Sequence, residues 1–225
     1  MPKKIRRCLY IGLGGTGMNS ILHTKKMFID TYGAVPPMVS FLGIDTDGNA
    51  YTKALTLRNG KRISLGANEQ VKIQVTNPRP LYETNRATLS WFPQENGGAL
   101  QNLKNGAGQV RSNGRFALWY NHQSVATQIA NALNRVTSAS IIGNEKWSVL
   151  GDANPEIHMV FSLCGGTGCG TFINMAYLIR QRILPNNFRL VGYGVLPGVF
   201  WAMNPLQMPY VKPNAYGALQ DLDWL

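Results

Sequence analysis

The chain has 225 residues, of which 44% are hydrophobic and 15% are charged, a composition that is ordinary for a globular protein with one sizeable core. The sequence contains no uninterrupted apolar run of roughly 18 residues, which excludes the usual pattern of a membrane-spanning helix. The three cysteines lack the spacing of a disulfide framework or of paired zinc ligands, so we expect free thiols. The basic amino terminus lacks the profile of a signal peptide, and we expect a cytoplasmic protein.

The net charge of +11 is compatible with binding to nucleic acid or to an acidic membrane surface. However, the lysines and arginines are spread along the chain, and the one dense cluster, in residues 3–7, has no interleaved aromatic side chains. The positive charge of the chain would equally favour binding of a nucleotide polyphosphate. A nucleic acid or membrane partner is therefore not favoured.

The first predicted unit is a short apolar strand over residues 8–11, a glycine-rich first loop over residues 12–17, and an amphipathic helix. Gly12, Gly14 and Gly17 satisfy the GxGxxG pattern, whose glycines permit a tight turn and a close approach of backbone to a pyrophosphate. This pattern alone also fits an NAD- or FAD-dependent oxidoreductase, which is the alternative enzyme hypothesis.

A second strand, residues 39–44, leads into the second loop, residues 45–47. In an open α/β sheet, ligands bind outside the carboxyl ends of the strands, so Asp45 or Asp47 could contact a ribose hydroxyl or hold Mg²⁺ through water. The alternative is a local turn or helix cap at Asp47. We favour the functional interpretation for Asp47.

Residues 56–104 suggest strands and loops without a site. The third loop, residues 105–111, contains Gly106 and Gly108 and precedes a helix predicted over residues 116–136. With Arg111 and Arg115 nearby, this loop suits a phosphate group, especially a γ-phosphate; the alternative is a solvated loop whose arginines face water.

The fourth loop, residues 164–170, holds four glycines in seven residues. It follows an apolar strand predicted over residues 157–162 and precedes another helix, so its N–H groups and the helix dipole could cradle an anion. The alternative is a purely structural turn.

A further strand is predicted over residues 188–196, and a last helix is predicted to begin at Pro213. These repeated units predict an α/β fold: a Rossmann-like parallel sheet covered by helices on both faces.

Three glycine loops, each predicted to follow a strand and to open a helix, would converge with the carboxylates of the second loop along one rim of the sheet. Such a set of loops is typical of a binding site for a ligand with several phosphate groups. The GxxxxGK[ST] pattern of P-loop NTPases is lacking, and no serine or cysteine has an evident base partner, so no catalytic residue is assigned.

The loops together resemble those of the tubulin/FtsZ superfamily. Residues 11–19 resemble its first nucleotide loop, residues 44–47 its second and residues 106–108 its third, while the fourth loop resembles its GGGTGTG or GGGTGSG signature. The resemblance implies a GTPase-type, Rossmann-like domain that binds GTP or GDP with Mg²⁺ and self-assembles head to tail into cytoskeletal filaments.

By this resemblance, Asp47 is the predicted metal ligand, Asn19 lies near the base and α-phosphate, and Asn214 pairs with guanine. For either asparagine, the plainer role is a helix cap. The predicted nucleotide-binding set is Gly12, Gly14, Gly15, Thr16, Gly17, Asn19, Asp45, Asp47, Gly106, Ala107, Gly108, Gly165, Gly166, Thr167, Gly168, Cys169, Gly170 and Asn214.

The chain departs from the family pattern in two places. Cys164 stands where the signature begins with glycine, and no Glu and Arg follow Pro197 to match those that FtsZ proteins use around the ribose. We expect residues 1–225 to be a single nucleotide-binding domain that ends before the family's central helix and acidic loop. The chain alone is thus expected to bind nucleotide with negligible hydrolysis; the non-enzymatic alternative is a tubulin-like scaffold that has lost nucleotide binding.

Overall fold

The computed structural model describes residues 2–97, 100, 102–139, 146–151, 154–182, 188–200, 202 and 208–225. Strands and helices alternate along much of the chain. The strands are β1 (Lys3–Ile5), β2 (Cys8–Leu13), β3 (Val39–Asp45), β4 (Leu55–Thr56), β5 (Arg62–Ile63), β6 (Gln70–Lys72), β7 (Trp147–Val149), β8 (Glu156–Ser162) and β9 (Arg189–Val195). The α-helices are α1 (Gly14–Tyr32), α2 (Pro78–Thr84), α3 (Gln94–Gly97), α4 (Arg111–Thr137), α5 (Thr167–Arg182) and α6 (Met208–Asp223), with short 3₁₀ helices at Gly48–Thr52, Ala67–Glu69 and Pro197–Phe200.

The central sheet has five parallel strands in the order β6-β3-β2-β8-β9. In the register, Leu13 at the end of β2 is opposite Ile44 of β3 and Phe161 of β8. The carboxyl ends of these three strands therefore meet at one rim, which is where an α/β sheet binds its ligands. The predicted α/β, Rossmann-like class is confirmed.

Two apolar cores lie on the two faces of the sheet. Leu9 and Ile11 of β2 pack into the core formed with α4, α5 and α6, whereas Tyr10 packs against the second core, which contains Met18 and Ile21 of α1. Alternate residues of one strand thus bury side chains in opposite directions, as a sheet covered on both faces requires. No helix of the described residues is long and apolar enough to cross a membrane.

Two glycines of the GxGxxG pattern have a packing role. A Cβ on Gly17 would collide with the carbonyl oxygen of Val160 in β8, and a Cβ on Gly12 would lie 2.5 Å from the carbonyl carbon of Gly17. These contacts are with backbone atoms, which cannot move aside as a flexible side chain can. Gly12 and Gly17 therefore allow α1 to lie close against the sheet.

Several predicted boundaries were wrong. Helix α4 begins at Arg111 instead of residue 116, because its first turn is polar and carries no apolar stripe to mark it. Helix α6 begins at Met208, and Pro213 lies inside it. Pro209, at the second helical position, is the proline that suits a helix start, since an N–H there has no partner within the helix.

The region predicted as strands and loops, residues 56–104, also contains helices α2 and α3. The prediction that the third loop follows a strand was wrong for the described residues, since residues 102–104 before it belong to no strand. This loop is instead attached to the second loop: Asp47 and Asn105 form an isolated antiparallel bridge, and the N–H of Gly48 donates to the carbonyl of Lys104 at 3.2 Å. Contact with a neighbouring loop therefore replaces a preceding strand in holding the third loop at the rim.

Replacing Gly17 with alanine should destabilise the fold by about 1–3 kcal/mol or more, because the new methyl group would force α1 away from β8. The free energy of unfolding from urea denaturation measures this loss. Gly15→Ala is the matched control in the same turn of α1, since its Cβ would have only an ordinary contact, 3.9 Å from a carboxylate oxygen of Asp45. A Gly17→Ala protein as stable as the Gly15→Ala protein would contradict the packing role.

Candidate functional site

The first and fourth loops touch through glycine backbone. Gly14 has a φ of 70°, and a Cβ on it would lie 3.0 Å from the amide nitrogen of Gly168. A Cβ on Gly168 would lie 2.8 Å from the carbonyl oxygen of Leu13. Glycine is thus needed on both sides of this contact, and it brings the start of α1 beside the start of α5.

The second loop joins the fourth loop through a buried pair of hydroxyl groups. The Oγ1 atoms of Thr46 and Thr167 lie 2.8 Å apart, and both side chains are buried. Neither threonine at this contact needs water to satisfy its hydroxyl group. The predicted site residue Thr167 therefore has a structural partner in the second loop.

The third loop packs against the fourth loop at equally short range. A Cβ on Gly166 would lie 2.7 Å from Cβ of Ala107 and 3.0 Å from the amide nitrogen of Val110. The backbone of the third loop curls sharply here, with φ of 106° at Gly106, 61° at Gly108 and 58° at Gln109. All four predicted loops therefore converge at the carboxyl rim of the sheet.

Asn214 connects the third and fourth loops through hydrogen bonds. Its Nδ2 donates to the carbonyl oxygens of Gln109 at 2.8 Å and Cys164 at 2.9 Å. Both N–H bonds of the amide are thereby used, and Oδ1 is the atom of this side chain that remains for a ligand. The predicted pairing of Asn214 with guanine stays a prediction, limited here to its acceptor oxygen.

Cys164 fits the loop without the glycine that the family pattern has at this position. Its φ is not positive, because Gln109 is the one non-glycine residue with positive φ among the described residues. The side chain is buried, its N–H donates to Oγ of Ser162 at 3.0 Å, and burial raises the pKa of the thiol. Burial likewise raises the pKa of Cys169 to about 12, so both thiols are protonated near neutral pH.

Asp45 is a buried carboxylate between the loops. Its Oδ1 accepts the N–H groups of Thr46 at 2.7 Å and Asp47 at 3.3 Å. Burial nevertheless raises the pKa of Asp45 above its ordinary value, against the lowering effect of hydrogen bonds from Thr167 and from these N–H groups. The charge of this side chain is thus costly unless a cation or further donors come close.

Asp47 caps the 3₁₀ helix that follows it: its Oδ1 accepts the N–H of Asn49 at 2.8 Å. The local interpretation of Asp47 is therefore confirmed. The side chain is only half-buried, so a hydrated cation can still reach its carboxylate. Its role as a metal ligand stays a prediction.

The two arginines near the third loop contact side chains that lie outside the four loops. Arg111 pairs with Asp221 of α6, and the guanidinium of Arg115 lies 4.2 Å from the ring centre of Trp91. Both arginines line a cavity of about 620 Å³ between α4, α5 and α6. Cys169, Gly170 and Asn214 of the predicted nucleotide-binding set line the same cavity, and the role of the two arginines at a phosphate group stays a prediction.

Asn19 is also separate from the meeting point of the loops. It is half-buried on α1 and lines a narrow cleft with Ala50, Tyr51 and Lys53. Its predicted position near the base and α-phosphate stays a prediction.

A small cavity of about 140 Å³ opens where the loops converge. A side chain added at Gly165 would enter open space, since no atom lies within 4 Å of its Cβ position, and Gly165 has no positive φ. The residues that line the cavity are Thr16, Gln109, Ser162, Cys164, Gly165, Phe200 and Val211. Its volume suits phosphate groups and is smaller than the pockets that usually enclose a whole nucleotide-sized ligand.

The predicted nucleotide-binding set lacks five of these lining residues: Gln109, Ser162, Cys164, Phe200 and Val211. Ser162 was recognisable in principle, because it is a polar residue at the carboxyl end of an apolar strand. Phe200 and Val211 come from the segment after β9, which had no glycine pattern to mark it. Gln109 gave no signal, since its positive φ is visible only in the structure.

Comparison with known proteins gives one family and several related structures. A family model described as tubulin-like matches residues 9–224. No curated protein sequence matches the chain significantly.

Among solved structures, CetZ from Methanosaeta thermophila is 16% identical with a TM-score of 0.55, covering 95% of this chain and 43% of that one. GDP-bound CetZ1 from Haloferax volcanii is 16% identical with a TM-score of 0.53, covering 96% and 47%. A GTPγS-bound protofilament of CetZ2 from the same organism is 16% identical with a TM-score of 0.51, covering 96% and 45%. The chain thus shares their fold and spans less than half of the length of each.

Replacing Asp45 with asparagine should stabilise the ligand-free protein relative to wild type as the pH rises. Because the folded pKa is raised, the folded carboxyl keeps its proton above the usual aspartate value of 3.8, whereas the unfolded one loses it. The free energy of unfolding of the wild type should therefore fall relative to that of the variant as the pH rises from 3.8 through the raised pKa of the folded protein. Urea denaturation of both proteins across this range measures the difference.

Other groups titrate equally in both proteins, so their effects cancel when the two free energies of unfolding are subtracted, provided that the substitution leaves the other carboxylates undisturbed. If the wild type instead gains stability relative to Asp45→Asn as the pH rises, the pKa of Asp45 is not raised. The lowering effect of its hydrogen bonds on the pKa would then outweigh the raising effect of burial.

Proposed function

The chain belongs to the tubulin-like family, and from this premise we propose that residues 1–225 form a single domain that binds a guanine nucleotide, as part of a self-assembling GTPase of tubulin/FtsZ type. The observation that carries the proposal is the convergence of four loops at one rim, beside a cavity that residues of the first, third and fourth loops line and where no atom lies within 4 Å of the Cβ position of Gly165. A dinucleotide-binding oxidoreductase would use the first loop and leave the contacts of the third and fourth loops without a purpose.

We assign the binding of the phosphate groups to the backbone N–H groups of the first, third and fourth loops. Helix α5 begins at Thr167, within the fourth loop, and its first N–H groups have no partner inside the helix. Their partial positive charge favours an anion at this end of a 16-residue helix. Helix α1, which begins at Gly14, adds the same effect from the first loop.

We assign Mg²⁺ to Asp47, whose half-buried carboxylate offers the oxygen ligand that this ion takes in proteins. When bound, the ion would neutralise charge on the phosphates. Asp45 lies deeper, where burial disfavours its ionised form. Its proposed role is to orient the second loop through the N–H groups of Thr46 and Asp47.

The choice of guanine and the capacity to assemble rest on the relatives. One related structure is a GDP-bound CetZ1 and another is a GTPγS-bound protofilament of CetZ2. We extend both properties to this chain as proposals, since the identity is 16% and less than half of each relative is covered. The base is assigned to the neighbourhood of Asn214, whose Oδ1 can accept a hydrogen bond.

Replacing Gly165 with valine should weaken nucleotide binding while preserving the fold. The new side chain would fill the cavity where the loops converge, without a clash and without backbone strain. We expect the dissociation constant for GTP, measured by equilibrium dialysis with Mg²⁺, to rise at least about tenfold, a loss of about 1.4 kcal/mol in binding free energy.

Gly198→Val is the matched control, because Gly198 also has no atom within 4 Å of its Cβ position and does not line the cavity. Substitutions at Gly166 or Gly168 would be less informative, since a Cβ there meets neighbouring loops and would disturb the fold. Unchanged GTP affinity in a folded Gly165→Val protein would rule out this cavity as the phosphate site and favour a scaffold that does not bind nucleotide.

A further inference from the structure

A second group of chemically active side chains lies at the opposite end of the sheet. Cys8 is the first residue of β2, and Glu156 and His158 belong to the start of β8. One ligand atom from each, a thiol sulfur, a carboxylate oxygen and an imidazole nitrogen, lies within 4.8 Å of the other two. The nucleotide site proposed above uses none of these residues.

The strand register explains why these three side chains meet. In the parallel pair of β2 and β8, Cys8 is opposite Glu156 and Tyr10 is opposite His158. Opposite residues of neighbouring strands, and residues two apart on one strand, point to the same face of a sheet. The cluster is therefore held by the two central strands of the fold, which makes its geometry rigid.

Neighbouring side chains orient the carboxylate and the imidazole. Oε1 of Glu156 accepts from Arg6 at 3.0 Å, while Oε2 lies 3.4 Å from Nε2 of His158. On the other side of the ring, Nδ1 lies 3.2 Å from the hydroxyl of Tyr193. Glu156 and His158 thus each use a second polar atom to contact another group, as the ligands of a metal site commonly do.

We propose that Cys8, Glu156 and His158 bind a divalent transition-metal ion of the Zn²⁺ class. Thiolate, imidazole and carboxylate together suit Zn²⁺ and disfavour Mg²⁺ and Ca²⁺, which prefer oxygen ligands alone. On binding, the Cys8 thiol releases its proton to solvent as the sulfur–metal bond forms. The side chains of His158 and Glu156 are 14% and 15% exposed, so water can reach the site and supply the fourth ligand of a tetrahedral ion.

The charge around the cluster limits the expected affinity. Arg6 contacts Glu156, and Arg189 lies 3.8 Å from the same carboxylate oxygen. These guanidinium groups oppose a cation, but both face Oε1 and leave Oε2 directed towards His158. The bound ion would cross-link β2 and β8, and because it binds the folded state, it would stabilise the protein increasingly as its free concentration rises above the dissociation constant.

Titration of the metal-free protein with Co²⁺ tests the proposal, because Co²⁺ takes tetrahedral zinc sites and gives a near-ultraviolet charge-transfer band when a thiolate binds it. We expect this band to saturate at one equivalent and to disappear when Zn²⁺ is added. Cys8→Ser should abolish the band, and His158→Asn should weaken Co²⁺ binding at least about tenfold. His23→Asn is the matched control, since His23 is an exposed residue of α1, and it should bind like wild type.

A protein without a saturable band, or a band that persists in Cys8→Ser, would overturn the assignment. Thermal unfolding provides a second measurement in case Cys8→Ser is too unstable to titrate. Added Zn²⁺ should raise the midpoint of wild type and of His23→Asn but should not raise that of His158→Asn. An equal rise in all three proteins would also overturn the proposal.

Discussion

Direct contact between glycine backbones at the carboxyl rim is the constraint on which the site depends. Gly14 approaches Gly168, and Gly166 approaches Ala107 and Val110, at distances that leave no space for a Cβ. Gly114 in the first turn of α4 is under the same constraint, since a Cβ there would collide with the carbonyl oxygen of Gly166. The starts of three helices can therefore lie side by side only because glycine occupies these positions.

The glycines of the loops consequently divide into two kinds. Most of them, including Gly12, Gly17 and Gly168, allow elements of the fold to touch, and a side chain at any of them would disturb the packing before it affected a ligand. Gly165 and Gly108 are different because no atom lies within 4 Å of their Cβ positions, and of these two only Gly165 lacks a positive φ. A glycine-rich motif by itself therefore does not distinguish ligand contact from close packing, and the surroundings of each Cβ position do.

The polar residues of the site connect the loops in a similar way. Asn214 donates to the third and fourth loops, Thr46 contacts Thr167, and Asp47 caps a 3₁₀ helix while bridging to Asn105. Each of these side chains has a structural partner before any ligand arrives. Such a site is preorganised, so little conformational entropy would be lost when its ligand binds.

The sequence was sufficient to predict the class of the fold and the meeting of the first, second and fourth loops, because apolar runs that end in such loops determine a parallel sheet and its ligand rim. The third loop was predicted to lie there for a reason that was wrong, since contact with the second loop and not a preceding strand holds it at the rim. The sequence could not predict that Arg111 contacts Asp221 and Arg115 contacts Trp91, since those contacts depend on how α6 and the segment before α3 pack against α4. The start of α4 was missed because its first turn is polar. The cluster of Cys8, Glu156 and His158 also had no signal in sequence spacing, because the register of two strands creates it.

Calorimetric titration of the nucleotide-free protein with GTP, ATP and NAD in the presence of Mg²⁺ tests the central claim most directly. If the four loops form one guanine-nucleotide site, GTP should bind with a stoichiometry of one, and ATP and NAD should bind at least about tenfold more weakly. Binding of NAD in preference to GTP, or no binding of any of the three, would contradict the account.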